Sequence, residues 1–182
     1  PLRNSLAILQ RSADDPATFA KASGVMERQL SHLVRLIDDL LDVSRISLDK
    51  LTLRVELADL GAVIEHAVEA TRPAAERAGH VLEVHLPERP VKLHADRARL
   101  SQVFSNLIGN ACKFTPDGGR VVIDARVAGA NAVVSVRDNG IGIAADRIGG
   151  VFEMFSQIDN SLERTRGGLG IGLTLVRRLV EM

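Results

Sequence analysis

From Phe19 to Ser44 the apolar or small positions fall at Phe19, Ala22, Met26, Leu30, Leu33, Ile37, Leu40 and Ser44. Steps of three and four predict one long helix with a near-heptad seam, running to about Ser47. Asp15 and Pro16 supply its start, as N-cap and first helical residue. Residues 2–11 read as the end of an earlier helix, joined to the long one by the polar turn SADDP. Two helices so connected make an antiparallel hairpin. A hairpin this narrow cannot bury its seam alone, so a homodimer closing a four-helix bundle is expected.

The period changes at Leu51. LTLRVEL alternates as a strand does, and Asp59 then caps a helix to about Arg77 that Gly79 stops. HVLEVHL and VKLHA read as strands, and Asp96 opens a helix over 97–113. RVVIDARV and AVVSVRD make a hairpin around AGAN. Residues 144–155 suggest short helical turns ending in FEMF, 156–167 a polar loop, and a last helix starts near Gly170. The fold class is therefore α+β: a helical hairpin over 1–48, then an α/β sandwich over 49–182 with a mixed sheet and helices on one face.

Composition narrows the classes. Lys plus Arg and Asp plus Glu both number 23, so the net charge is zero. This disfavours nucleic acid or an anionic membrane as a partner. One cysteine, Cys112, excludes an internal disulfide and fits a reducing, cytoplasmic setting. No apolar run approaches the roughly 18–20 residues of a membrane span. Pro1 and Met182 read as cut points within a longer chain, whose other parts could still carry a membrane anchor.

Three constellations bear chemistry. On the 97–113 helix, Leu100, Val103, Phe104, Leu107, Ile108 and Ala111 form one apolar face. Asn106, Asn110 and Lys113 gather on another, within about 60° of each other at helical spacing. An amide oxygen is a hard, neutral ligand for Mg²⁺, and an ammonium neutralises a phosphate oxygen. The same spacing also fits a solvated polar face. In VRDNGIGI, residues 136–143, a strand ends in Asp138 with Gly140 and Gly142 beyond it. An ionised carboxylate only accepts hydrogen bonds, so Asp138 suits the exocyclic amino group of adenine and would repel the guanine carbonyl. A simple strand-end turn is the alternative. In RGGLGIGLTLVRRLV, Gly168, Gly170 and Gly172 lead into a helix, whose first N–H groups hold anions. A P-loop is excluded, and a dinucleotide fingerprint fails because Leu173 stands where its last glycine belongs.

Taken together these residues resemble the two-component sensor histidine kinases, with their Bergerat-type ATP-binding domain. The family pattern N-x-x-x-N-A-x-K-[FY]-T matches Asn106 to Thr115. D-x-G-x-G-I matches Asp138 to Ile143, F-E-x-F matches Phe152 to Phe155, and G-x-G-x-G-L matches Gly168 to Leu173. HLVRLIDDLLDVSRI, residues 32–46, looks like the second helix of the family's dimerisation and phosphotransfer hairpin. The resemblance implies ATP and Mg²⁺ as ligands, with Asn110 on the metal, Asn106 beside it and Lys113 at the phosphates. It implies Asp138 on adenine, with Gly140 and Gly142 shaping that wall. Gly168, Gly170, Gly172 and Leu173 would wrap the phosphates under a lid over about 153–167. Phe152 and Phe155 would anchor the lid's base in the core; on charge and position alone, Arg164 or Arg166 would reach the γ-phosphate.

The resemblance also places the phosphoacceptor on the first hairpin helix, in a pattern like H-E-L-R-N-P-L. His32 is on the second helix, with neither the following acid nor the proline. It is expected at the edge of the dimer interface. The acceptor is expected upstream of Pro1, and the family's final strands beyond Met182. The chain is then expected to bind Mg·ATP without phosphorylating itself. Phosphate in the whole protein would pass to an aspartate of a response-regulator receiver domain docked on the hairpin. The rival expectations are another Bergerat ATPase, of gyrase or mismatch-repair type, and a dimeric pseudokinase that works by conformation.

Overall fold

The computed structural model describes residues 2–11, 15–48, 50–156 and 169–182, apart from the side chains of Arg11 and His32. Helix α1 (Leu2–Arg11) packs against α2 (Pro16–Ser47). The Asp15 carboxylate caps α2, accepting the N–H groups of Ala17 at 3.1 Å and Thr18 at 3.3 Å. Ser5 and Ala22 are buried, whereas Phe19, Leu30, Leu33, Ile37 and Leu40 are each more than 40% exposed. The seam read from the sequence is thus an open apolar stripe.

Beyond the hairpin come β1 (Glu56–Asp59), α3 (Leu60–Arg77), β2 (Val81–His85), β3 (Lys92–Ala95), α4 (Arg97–Phe114), β4 (Arg120–Ala128), β5 (Asn131–Asp138) and α5 (Gly172–Glu181). A single 3-10 turn lies at Ile148–Gly150. The strands form two hydrogen-bonded pieces. β1 and β3 pair antiparallel, and the other piece runs β2-β4-β5, with β2 parallel to β4 and β5 antiparallel to it. Parallel pairing needs a crossover, and β3 with α4 provides it.

Strand β4 alternates: Val121, Ile123 and Ala125 are buried on one face. Against that face lie Val63, Ile64, Ala67 and Val68 of α3, Val103, Phe104, Ile108 and Ala111 of α4, and Leu175, Val176 and Leu179 of α5. Ile64, Ile108, Ile123 and Leu175 are fully buried, so one aliphatic core joins helices and sheet. The apolar face read on α4 is the buried one.

Two features depart from the sequence reading. The strand expected from Leu51 begins only at Glu56. Strand β3 offers a partner for four residues and then ends at Asp96, which caps α4 by accepting from Ala98 and Arg99. The other oxygen of that carboxylate takes the N–H of Arg54 at 2.9 Å, so the backbone before β1 is held by a side chain and not by a strand. The second departure is at the end of α2. Val43 belongs to the α/β core, and Asp42 forms an ion pair with Arg99. Gln102 donates to both Asp39 and Asp42 at 3.1 Å. The end of the long helix is therefore clasped to α4.

Candidate functional site

Three segments meet around α4. Its polar face carries Asn106, Asn110 and Lys113, all half-buried. Asn106 Nδ2 is buried with no hydrogen-bond partner among the described residues. A buried amide donor left so is costly, and it fits a ligand or an ordered water. Lys113 Nζ stands 4.6 Å from the centroid of the Phe114 ring, over a π face that favours a cation.

The second segment is the loop after β5. Asp138 Oδ1 accepts the N–H of Gly140 at 2.9 Å. Ile141 donates its N–H to the Phe114 carbonyl at 3.2 Å, and Asn139 Oδ1 accepts that of Arg120 at 2.8 Å. The loop is thereby bonded to the end of α4 on one side and to β4 on the other. A Cβ at position 140 would stand 2.4 Å from the Phe114 carbonyl oxygen and 2.7 Å from Asp138 Oδ1. Only glycine fits there, which explains why the strand ends in this sequence. Asp138 itself is exposed, as is Gly142 further along the loop.

The third segment is the entry to α5. Gly170 has φ 69°, and a Cβ there would fall 2.6 Å from the Ser156 carbonyl oxygen. Its own carbonyl accepts the N–H of Phe155 at 3.1 Å, tying residues 155–156 to the start of the helix. Gly172 faces Asn106, with a Cβ position 3.5 Å from Asn106 Oδ1. Leu173 is half-buried. Ile171, at the N-cap of α5, has no side chain that could cap it, and the first N–H groups of a helix suit an anionic acceptor. Thr174, in the first turn, is buried, and its Oγ1 has no partner among the described residues. Sequence reading missed this hydroxyl. Its only signal was its place directly after the glycine pattern.

Other expectations fare differently. Phe152 and Phe155 are 39% and 60% exposed, so neither is an anchor in the core. The hold at this place is the Phe155–Gly170 backbone bond instead. Arg164, Arg166, Gly168 and most of the lid expected over 153–167 lie outside the described residues. Among the described residues no cluster of three or more His, Cys, Asp or Glu suits a metal ion. A metal here would have to be held by amide oxygen and by its ligand.

A cleft of about 510 Å³ separates α2 from α4 and is lined by Leu30, Val34, Asp39, Gln102, Ser105 and Asn106 among others. Asn106 therefore borders both this cleft and the start of α5. Burial raises the pKa of Asp39, opposed by the hydrogen bond from Gln102 and the charge of Arg35. No helix among the described residues is long and apolar enough to cross a membrane.

A mixed sheet backed by helices, with an acid–glycine loop and a glycine-led helix start on either side of one polar helix face, defines a class of nucleotide-dependent domain. Residues 95–182 match the family of histidine kinase-, DNA gyrase B-, and HSP90-like ATPases, and this part of the chain is a domain of that family. Its relatives narrow this further. The sensor protein GacS of Pseudomonas syringae is 34% identical over 179 residues, covering 96% of this chain and 20% of that protein. Among solved structures, the Acinetobacter baumannii histidine kinase AdeS is 28% identical with a TM-score of 0.68, covering 99% of this chain and 85% of that one. Full-length ShkA in complex with AMPPNP is 28% identical with a TM-score of 0.71, covering 91% of this chain and 34% of that one. Within the family, then, the chain falls with the sensor histidine kinases of two-component systems, and the gyrase-like alternative gives way. The chain spans about a fifth of the length of the curated relatives it matches.

Proposed function

We propose that this chain binds Mg·ATP between α4, the Asp138–Gly142 loop and the start of α5, and serves γ-phosphoryl transfer to a histidine. The observation that carries this reading is the seating of the Asp138 loop on the end of α4. Gly140 packs against the Phe114 carbonyl, so an adenine-reading carboxylate stands beside the helix end that bears Asn110 and Lys113. The AMPPNP complex of ShkA supports a nucleotide of this kind.

In this reading Asp138 accepts from the adenine amino group and discriminates against guanine. Lys113 neutralises phosphate charge, and the N–H groups at the start of α5 receive phosphate oxygens. Asn106, whose Nδ2 is an orphan donor, fits an oxygen-rich ligand. Mg²⁺ suits Asn110 as its one protein ligand and would supply positive charge at the polyphosphate. The chemistry is positioning and charge neutralisation. A histidine ring nitrogen gains the γ-phosphorus, the bond to the β–γ bridging oxygen breaks, ADP leaves, and the ring gives up its N–H proton.

The division into a hairpin, 1–48, and an ATP-binding part, 49–182, belongs to this proposal. The hairpin forms the homodimer, and its exposed stripe supports that role. The acceptor lies on a histidine other than His32, on the first hairpin helix. The phosphate then passes to a receiver-domain aspartate, and the reaction takes place on the cytoplasmic side, where ATP is. The test is calorimetry with Mg·ATP and Mg·GTP. The parent should bind ATP, and Asp138→Asn should bind it at least about tenfold more weakly, the loss of one charge-assisted contact. Equal affinity of the two proteins, or equal affinity for the two nucleotides, would refute the site.

A further inference from the structure

Helices end with carbonyls that lack an intrahelical donor, and α4 ends under an additional handicap. The donor for the Cys112 carbonyl would be the N–H of residue 116, which is Pro116 and has none. Two carbonyls nearby are served: Ala111 accepts from Thr115 at 3.1 Å, and Phe114 accepts from Ile141 at 3.2 Å. Cys112 is served from another element altogether. His80, 8% exposed, lies where α3 turns into β2, and its Nε2 is 3.0 Å from the Cys112 carbonyl oxygen.

A carbonyl oxygen can only accept, so Nε2 carries the proton and donates. Nδ1 is buried and has no partner among the described residues. The ring thus makes one directed bond, and its base is fixed by the backbone. His80 N donates to the Ala75 carbonyl at 2.9 Å, and Val81 N donates to that of Gly119 at 2.9 Å. The bond falls in the last turn of α4, between Asn110 and Phe114. Cys112 stands two residues after Asn110 and directly before Lys113, and two residues before the Phe114 carbonyl that seats the Asp138 loop.

We propose that His80 is a positioning residue for nucleotide binding, whose Nε2–H supplies the donor that Pro116 lacks and so sets the last turn of α4 in register with the Asp138 loop. This rests on the reading of that place as the Mg·ATP site. His80 touches no ligand in it. Its effect passes through the Cys112 carbonyl to Asn110, Lys113 and the Phe114 carbonyl.

The experiment is Mg·ATP calorimetry on the whole chain, at a temperature where far-ultraviolet circular dichroism shows each variant folded. His80→Phe fills the space without a donor, and its affinity should fall roughly tenfold, as expected for one unsatisfied buried acceptor. His80→Gln can present an amide N–H to the same carbonyl and should recover most of that loss. His80→Met replaces His80→Phe should the latter not fold. His66→Ala, at an exposed position on α3, should bind as the parent does. Parent-like affinity in His80→Phe, or no recovery in His80→Gln, overturns the role of His80 while leaving the site intact. If neither the parent nor any variant binds Mg·ATP, the site and the role of His80 fail together.

Discussion

An asparagine gives a cation one neutral oxygen, so its contribution is separable from charge. Removing Asn110 should affect the metal more than the base. In Asn110→Ala, adding Mg²⁺ should no longer raise affinity for ATP, whereas in the parent it should do so roughly tenfold. Titrations with and without a chelator measure this, and an undiminished Mg²⁺ effect would remove Asn110 as the ligand. Single residues were legible in the sequence where a pattern fixed both type and spacing. Gly140 is of that kind, since it occupies a position that excludes any Cβ. His80 and Thr174 were not legible as more than structural residues. His80 bonds to the Cys112 carbonyl 32 residues away, and the Thr174 hydroxyl is noticed only through its burial without a partner among the described residues. Phe152 and Phe155 show the reverse case: the family pattern F-E-x-F implies a place in the core, and both are exposed.

At the scale of elements, helices were legible because periodicity and caps agree. Asp15, Asp59 and Asp96 each cap the helix that the sequence assigns them. β1 was read too long because alternation carries no information about whether a partner strand is present. The docking of α2 on α4 was also hidden, since Asp39 and Asp42 look like solvent-facing acids on a helix. Their burial gives a prediction with a definite sign. Burial raises the folded-state pKa of Asp39 above its ordinary 3.8. Stability from that group is complete below 3.8 and declines as pH rises through the raised value. Asp39→Asn keeps an oxygen to accept from Gln102 and carries no charge. It should raise the melting temperature at pH 7, and the advantage should vanish below pH 3.8, where the parent carboxyl is itself protonated. Asp42→Ala, which takes the carboxylate partner from Arg99 and leaves it the hydrogen bond to Gln102 Oε1, should instead cost about 1–3 kcal/mol at pH 7. Thermal melts across pH measure both, and an Asp39→Asn protein less stable than the parent at neutral pH would contradict the account.

The whole molecule has an aliphatic core on the α/β side and an uncovered stripe on the hairpin side. Leu30, Leu33, Val34, Ile37, Leu40 and Leu41 are 41–56% exposed, more apolar surface than one helix face normally leaves to water. Ile37→Asp should weaken self-association by about a hundredfold while leaving Mg·ATP affinity unchanged, because a buried unpaired charge is penalised only in the dimer. Sedimentation measures the first effect and calorimetry the second. A monomeric parent would remove the bundle from the proposal. Finally, the Asp96 carboxylate fastens two stretches of chain at once, the backbone leading in from the hairpin and the first turn of α4. Burial works against its ionisation and is outweighed by the N–H groups of Arg54, Arg99 and Ala98, so its pKa is lowered. Any pull delivered along the incoming polypeptide that passes the clasp of α2 on α4 therefore bears on a joint at the root of the helix that carries Asn106, Asn110 and Lys113.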